Sequence, residues 1–139
     1  MAIIQGQTTS FKAELYQGVH NLLTDTIKLA LYTGNANLDA DTTIYSTTNE
    51  VVASGYTAGG NTLTGVTVNS SGYTAYVNWS NTSWTSALTA RCALLYNASK
   101  GNKSVAVIDF GSDKSSNTTF LITMPANTAA SALIRSGIN

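Results

Sequence analysis

The chain has 139 residues with seven Lys plus Arg, seven Asp plus Glu and one His, so its formal net charge is zero and 10% of its residues are charged. Ordinary soluble domains carry roughly 25% charged residues, whereas small neutral groups supply the polarity here, as 21 Thr, 15 Ser and 13 Asn. The length predicts one domain over residues 1–139. The zero net charge argues against a nucleic-acid-binding protein, which usually shows a basic patch. Cys92 is the only cysteine, which argues against a disulfide scaffold or a multi-cysteine zinc site.

The first predicted element is a helix of about residues 10–20, which follows an N-terminal arm of about residues 1–9. The apolar residues that recur at spacings of four, four and three are Phe11, Leu15, Val19 and Leu22. This spacing places them on one helix face. Thr9 or Ser10 is the expected N-cap, and Gly18 weakens the last turn.

From residue 27 the apolar period changes to two, which indicates a half-buried strand over residues 27–32. Residues 38–50 have little periodicity and are predicted to form a long surface loop. Weaker strands follow at residues 51–52 and 63–68, a turn at 69–72, and a clear alternation at 73–79 whose core face is Tyr73, Ala75, Val77 and Trp79.

The remaining strand signals predict a three-stranded antiparallel meander over residues 89–124, with polar turns at 97–103 and 111–117. Leu133 and Ile134 are expected to form a last short strand. Seven or eight short strands with one helix predict an all-β fold, an antiparallel two-layer sandwich that is jelly-roll-like.

Sheet edges in this sequence lack the usual protection against association. Pro125 is the only proline, and few Lys or Glu residues are available to block an edge strand. The edges or faces of the sandwich are therefore expected to be covered by partners, or else the sheet closes on itself.

The sequence predicts no catalytic, cofactor-binding or metal-ligating residues. His20 is the only imidazole base, and no serine motif accompanies it; we expect it at a helix C-terminus, facing solvent or the last carbonyls. Cys92 alternates with apolar residues and is expected to be a small buried side chain. Asp39 and Asp41 lack the glycine and the distal Glu of an EF-hand loop.

Other polar and aromatic residues allow weaker functional interpretations. Asp39, Asp41, Glu50, Asp109 and Asp113 offer carboxylate pairs for glycoside chemistry, but any five acids in a sandwich do so. Lys100 and Lys103 are expected to be solvated turn residues, with contact to an acidic partner as the alternative. Trp79 is expected in the core and Trp84 is expected to anchor the connection that follows, with a carbohydrate-binding platform as the alternative.

The expected compartment follows from the lack of recognisable targeting signals in this sequence. The chain start has no basic segment followed by an apolar core, and the apolar stretches are far shorter than the roughly 20 residues of a membrane-spanning helix. We therefore expect synthesis in a cytosol, with no membrane partner and no nucleic-acid partner.

Several runs along the chain, taken together in order, resemble the small virion proteins of tailed bacteriophages. These runs are residues 8–12, 18–20, 25–33, 45–46, 48–51, 55–60, 89–91, 94–97, 105–114, Pro125 and residues 134–135. Among such proteins, the chain is most similar to capsid cement, or decoration, proteins. The resemblance covers nearly the whole chain but carries no catalytic residue to transfer.

The resemblance implies a non-enzymatic structural protein on the capsid exterior, made in the host bacterial cytoplasm. Its implied partners are the major capsid protein, whose shell it stabilises, and further copies of itself in a dimer or trimer. The N-terminal segment, residues 1–9, and the sheet edges are expected to make many contacts. The alternatives are a neck, tail or head-fibre component, or a carbohydrate-binding β-sandwich module.

Overall fold

Antiparallel strand pairing organises the chain in the computed structural model, which describes residues 2–137. The strands are β1 (Gly6–Gln7), β2 (Ile27–Tyr32), β3 (Asn61–Thr62), β4 (Thr67–Ser71), β5 (Thr74–Asn78), β6 (Thr82–Trp84), β7 (Thr89–Asn97), β8 (Lys103–Ser115), β9 (Phe120–Ile122) and β10 (Ile134–Ser136). Helix α1 is Thr9–Tyr16, and a single 3-10 turn is Ala98–Lys100. The predicted all-β sandwich with one short helix is confirmed.

Three sheets contain these strands: a five-stranded sheet in the order β1-β8-β7-β2-β3, a three-stranded sheet in the order β10-β5-β4, and the pair β6-β9. One hydrophobic cluster joins them, because Leu29 and Leu95 of the large sheet share it with Ile134, Trp84 and Phe120 of the smaller sheets. The main core therefore lies between the large sheet and the two smaller ones.

The second face of the large sheet is also buried. Ala30, Tyr32 and Leu94 form a second cluster there with Leu38 of the loop over residues 33–50. Tyr45 of this loop stacks on Tyr96 with ring centroids 4.6 Å apart. The strand predicted to be half-buried is thus buried on both faces, because the long loop folds over the sheet.

Helix α1 is shorter than the predicted residues 10–20. Its N-cap is Thr8, whose side chain accepts a hydrogen bond from the Phe11 N–H. Gly18 ends the helix in the left-handed conformation, at φ +71°, and Val19 N–H bonds back to the Glu14 carbonyl, which is the Schellman arrangement. Gly18 thus terminates the helix, and of the predicted apolar face Phe11 and Leu22 are buried whereas Leu15 is exposed.

The predicted meander is only partly correct. Strand β8 continues through Gly111–Ser115, where the polar residues predicted a turn. The register between β7 and β8 shifts between Ala90 and Cys92, so that a longer segment of β8 lies opposite a shorter segment of β7. Strand β9 pairs with β6 and not with β8, and residues 69–71 are strand, so the turn predicted at 69–72 narrows to residues 72–73.

The N-terminal segment is attached to the sandwich. Within the described residues, Ile4 N–H bonds to the Leu38 carbonyl, and Gly6 pairs with Val107 of β8. Thr8 is fully buried. Gly6–Gln7 is thus the edge strand of the large sheet, residues 2–4 bond to the loop at Leu38, and Thr9, the last residue of the predicted arm, is the first residue of α1. Met1 lies outside the described residues.

Candidate functional site

His20, the only imidazole, is buried, so the expected solvent-facing position is wrong. Its side chain packs against Phe11, and its Nε2 lies 2.8 Å from Glu14 Oε1. Its Nδ1 lies 2.9 Å from the amide nitrogen of Asn97. That amide also donates to Asp25. Both ring nitrogens are therefore engaged in a buried hydrogen-bond network.

The partners of Asn97 determine which ring nitrogen of His20 is the hydrogen-bond acceptor. Asn97 Oδ1 accepts the Ser99 N–H and its Nδ2 donates to the Asp25 carboxylate, so the amide presents a donor to His20. Nδ1 of His20 must then accept, and the ring proton lies on Nε2, where it is donated to Glu14. The network joins the end of α1 to the end of β7.

Asp25 extends the network to the turn after β7. Burial disfavours its charge, but hydrogen bonds from the Asn21 N–H, Asn97 and Lys100 outweigh burial and hold the pKa of Asp25 below its ordinary value of 3.8. The Lys100 Nζ lies 3.2 Å from the carboxylate. Lys100, expected to be a solvated turn lysine, is instead half-buried and fastens this turn.

Cys92 is a buried small side chain, as predicted. It is fully buried within the second cluster, on the face of β7 opposite the main core. Burial, followed by the charge of Asp109, raises the pKa of the thiol to about 11. Because the thiolate is the reactive form, this cysteine is held in its unreactive state.

Glu50 is a buried carboxylate with three donors. Its oxygens accept the hydroxyls of Tyr45 and Tyr56 at 2.6 Å each and the Gly59 N–H at 2.8 Å. Tyr96 donates to the Gly59 carbonyl, and burial and Glu50 together raise the pKa of Tyr96 to about 12. This group, the Glu50 cluster, holds residues 45–59 against the large sheet.

The other acids serve local structure. Asp109 pairs with Arg91, and a bond from the Gly111 N–H together with Arg91 keeps the pKa of Asp109 below its ordinary range despite some burial. Asp39 accepts the Asp41 N–H in a turn. In the part of the chain that the structure describes, no three His, Cys, Asp or Glu residues are grouped to hold a metal ion, and no helix there is long and apolar enough to cross a membrane.

Both tryptophans belong to the core, as predicted for Trp79, whereas Trp84, expected to anchor a connection, lies in strand β6. Trp79 and Trp84 are buried, and Trp84 packs between Tyr56 and Phe120, with ring centroids 5.8 Å and 6.3 Å away. Tyr73, expected on a core face, is instead 82% exposed. The carbohydrate-binding alternative required an exposed tryptophan and therefore loses the observation on which it rested.

The charged residues are unevenly distributed. No Asp, Glu, Lys, Arg or His occurs between Glu50 and Arg91, nor between Lys114 and Arg135. We call residues 51–90 and 115–134 the neutral region, and the other described residues the charged region. The two parts of the neutral region are joined by the β6–β9 pair and by side-chain hydrogen bonds from Asn78 to the Pro125 carbonyl and from Asn127 to Thr67.

A hairpin of the neutral region extends into solvent. All five residues of β4 are exposed, and β4 is the last strand of its sheet. Val68 is 51% exposed, and Tyr73 lies at the hairpin turn. The neutral region therefore presents an uncharged, unpaired strand edge beside exposed apolar side chains.

An apolar groove lies at the border of the neutral region, with a volume of about 450 Å³. Its apolar lining includes Ile108, Phe110, Phe120, Ile122, Met124 and Leu133. Among the described residues Lys114 is the only charged one that lines it, and Leu121, 57% exposed, also lines it. The groove suits an apolar side chain or an extended apolar segment of a partner.

The neutral region is the candidate functional site, and the expectations from individual motifs missed it. The signal was present in the sequence, because the gap in charge between Glu50 and Arg91 is visible before any folding. Comparison of the chain with protein-family models, with curated proteins and with solved structures finds no match. The physical character of this surface therefore carries the functional argument.

Proposed function

We propose that this protein is a non-enzymatic structural protein of the bacteriophage virion, a capsid cement protein that binds the outside of the major capsid protein shell and stabilises it. On this proposal it is made in the host bacterial cytoplasm and acts as a homo-oligomer. The observation that carries the proposal is the neutral region, which combines an uncharged strand that has one unpaired edge with an apolar groove at its border.

The physics of a lattice contact favours such a surface. A charge that is buried against a partner without a good counter-charge costs several kcal/mol. Thr, Ser and Asn side chains cost less free energy when their hydrogen bonds to the partner are imperfect. A protein that binds the same shell at many equivalent sites can be held firmly even though each single contact is weak.

The expected contacts of residues 1–9 with the shell are tested better by a point substitution than by a deletion. Removal of residues 1–9 also removes β1 and the buried N-cap Thr8, so that loss of shell binding would follow from damage to the fold. Ile4 is exposed, and Ile4→Lys alters this segment while the β1 pairing stays intact.

Two matched leucines test the neutral region as the shell-binding surface. Leu121 in the neutral region and Leu23 in the charged region are 57% and 55% exposed. Purified wild-type protein, Leu121→Lys and Leu23→Lys are each added to expanded, undecorated shells of the same phage, and bound protein is quantified after sedimentation. We expect Leu121→Lys to bind at least tenfold more weakly, a loss of about 1.4 kcal/mol, and Leu23→Lys to bind like wild type.

Equal binding of the two variants would reject the neutral region as the docking surface. Failure of the wild-type protein to bind expanded shells would reject the cement role itself. A neck, tail or head-fibre component is distinguished by copy number, because such a component is present in far fewer copies per particle than a cement protein.

A further inference from the structure

Strand β4 has one free edge. It pairs with β5 on one side and is the last strand of the order β10-β5-β4. Its residues, Thr67–Ser71, are all exposed. They include no Lys and no Pro, and their register with β5 is continuous without a bulge. The devices that usually protect an edge strand from association are therefore missing.

The hairpin register shows which backbone groups point outward. Ser71 pairs with Thr74 across the two-residue turn Gly72-Tyr73, in which Gly72 has φ +59°, as in a type II′ turn. The residues that flank such a turn form a hydrogen-bonded pair, and pairs alternate along an antiparallel ladder. Asn69 therefore bonds to β5, whereas the N–H and C=O groups of Val68 and Ser70 point away from it.

We propose that β4 pairs antiparallel with β4 of a second copy of this chain, across a twofold axis at Asn69. Val68 and Ser70 lie symmetrically about Asn69, so in this register Val68 of each copy faces Ser70 of the other. All four outward N–H and C=O groups of each copy are then satisfied, in four hydrogen bonds. The two three-stranded sheets become one continuous six-stranded sheet.

The absence of charge favours a second copy as the occupant of this edge. On a twofold interface a residue at the axis meets its own counterpart, and the residues beside it lie close to theirs, so a charge there is repelled by its own copy. The hairpin has none, since no charged residue lies between Glu50 and Arg91. The opposite edge of the same sheet, β10, carries Arg135 at its centre, and self-pairing there would bring two guanidinium groups together.

The small size of this interface predicts a weak dimer. Four hydrogen bonds and the partial burial of Val68 provide less contact than a stable interface of about 1,200 Å² or more. Repetition within a lattice strengthens such a contact. Only the strengthening within a lattice rests on the proposed function. The dimer itself does not, because dimerisation is measured on the purified protein without shells.

Disulfide trapping tests the register. Opposite residues of a non-hydrogen-bonded pair have Cα atoms about 4.5 Å apart, within the range that a disulfide spans, so Asn69→Cys is expected to give a covalent dimer under mild oxidation. Ser71→Cys is the matched control, on the same strand face and also exposed. Its two copies would lie about 13 Å apart along the strands and are expected not to cross-link.

Sedimentation velocity tests the hydrogen bonds, at protein concentrations from about 10 μM to about 1 mM. Ser70→Pro removes an outward N–H without removing a bond to β5, and it deletes two of the four interchain bonds, so dimerisation is expected to weaken at least about tenfold. Ser70→Ala keeps the N–H and is expected to dimerise like wild type.

Each outcome decides the proposal. Selective cross-linking of Asn69→Cys and weakening by Ser70→Pro support the β4 interface. A monomeric wild type over this whole concentration range, equal cross-linking of both cysteine variants, or a dimer that Ser70→Pro leaves unchanged overturns it. A wild type that dimerises as expected but fails to bind shells would support this interface and reject the cement role.

Discussion

The charged and neutral regions of this sandwich use polar groups in different ways. In the charged region, ionisable side chains bond to one another and to nearby loops: Asp25 to Lys100, Asp109 to Arg91, and Glu50 to two tyrosines. In the neutral region, hydroxyl and amide side chains lie beside an open strand edge and an apolar groove. Charge here fastens the fold, and its absence marks the surface that we propose as the docking site.

The Glu50 cluster gives the largest expected effect on stability. Glu50→Ala removes the acceptor of two tyrosine hydroxyls and of the Gly59 N–H, and unsatisfied buried donors are costly. We expect the free energy of unfolding to fall by roughly 3 kcal/mol, measured by urea denaturation. Glu50→Gln keeps one acceptor oxygen, so a smaller loss is expected.

If Glu50→Ala lowers the free energy of unfolding by less than about 0.5 kcal/mol, which is typical of exposed positions, the contrast between the charged and neutral regions is wrong. Such a small loss would mean that this carboxylate does not fasten the loop over residues 45–59. Leu121→Lys is the corresponding variant in the neutral region, and there we expect shell binding to change while stability does not.

Acid sensitivity gives a smaller expected effect. The pKa of Asp25 lies below its ordinary value of 3.8 in the folded protein, so its charged form stabilises the fold above that value, and the contribution disappears as the pH falls through the lower, folded-state pKa. Asp25→Asn is expected to lower stability by about 1 kcal/mol at pH 7, and the difference from wild type should narrow at pH 3.

The measurement for Asp25 is urea denaturation of both proteins at pH 7 and at pH 3. A difference that stays constant between the two values would show that the charge of Asp25 does not contribute. Asp109→Asn, at the other carboxylate whose pKa lies below its ordinary value, is expected to change stability in the same direction.

Salt gives the smallest expected effect. Because the net charge is zero and the proposed docking surface includes Lys114 as its one charged lining residue in the described part of the chain, occupancy of expanded shells is expected to change less than about threefold between roughly 50 and 300 mM NaCl. A steep loss of binding over this range would instead place the contact on charged groups such as Lys12 or Arg135.

Local periodicity in the sequence predicted the strands whose residues alternate clearly. Strands β2, β5 and β7 lie at the positions that the apolar alternation predicted, although Ala75, predicted on the core face of β5, is exposed. Polar composition misled at Gly111–Ser115, because a strand edge exposed to solvent tolerates the same residues as a turn. The partner of β9 was not predictable, since three residues contain too little pattern to choose between β6 and β8.

The positions of the polar side chains depended on contacts between distant residues. His20 is buried because Asn97, far along the chain, supplies its hydrogen-bond partner, and Glu50 is buried because the loop containing it folds over the large sheet. No local pattern shows either contact. The neutral region differs, since a gap in charge is a property of the sequence itself, and burial and topology were needed only to show that its β4 edge is open.

The proposed cement role is tested most directly by locating the protein in a phage particle that contains it. An averaged cryo-electron-microscopy map of the virion gives both its copy number and its orientation. The account predicts hundreds of copies spread over the capsid exterior, with Leu121 and the apolar groove against the major capsid protein. A few copies at the neck or tail, or capsid copies that turn the neutral region to solvent, would contradict it.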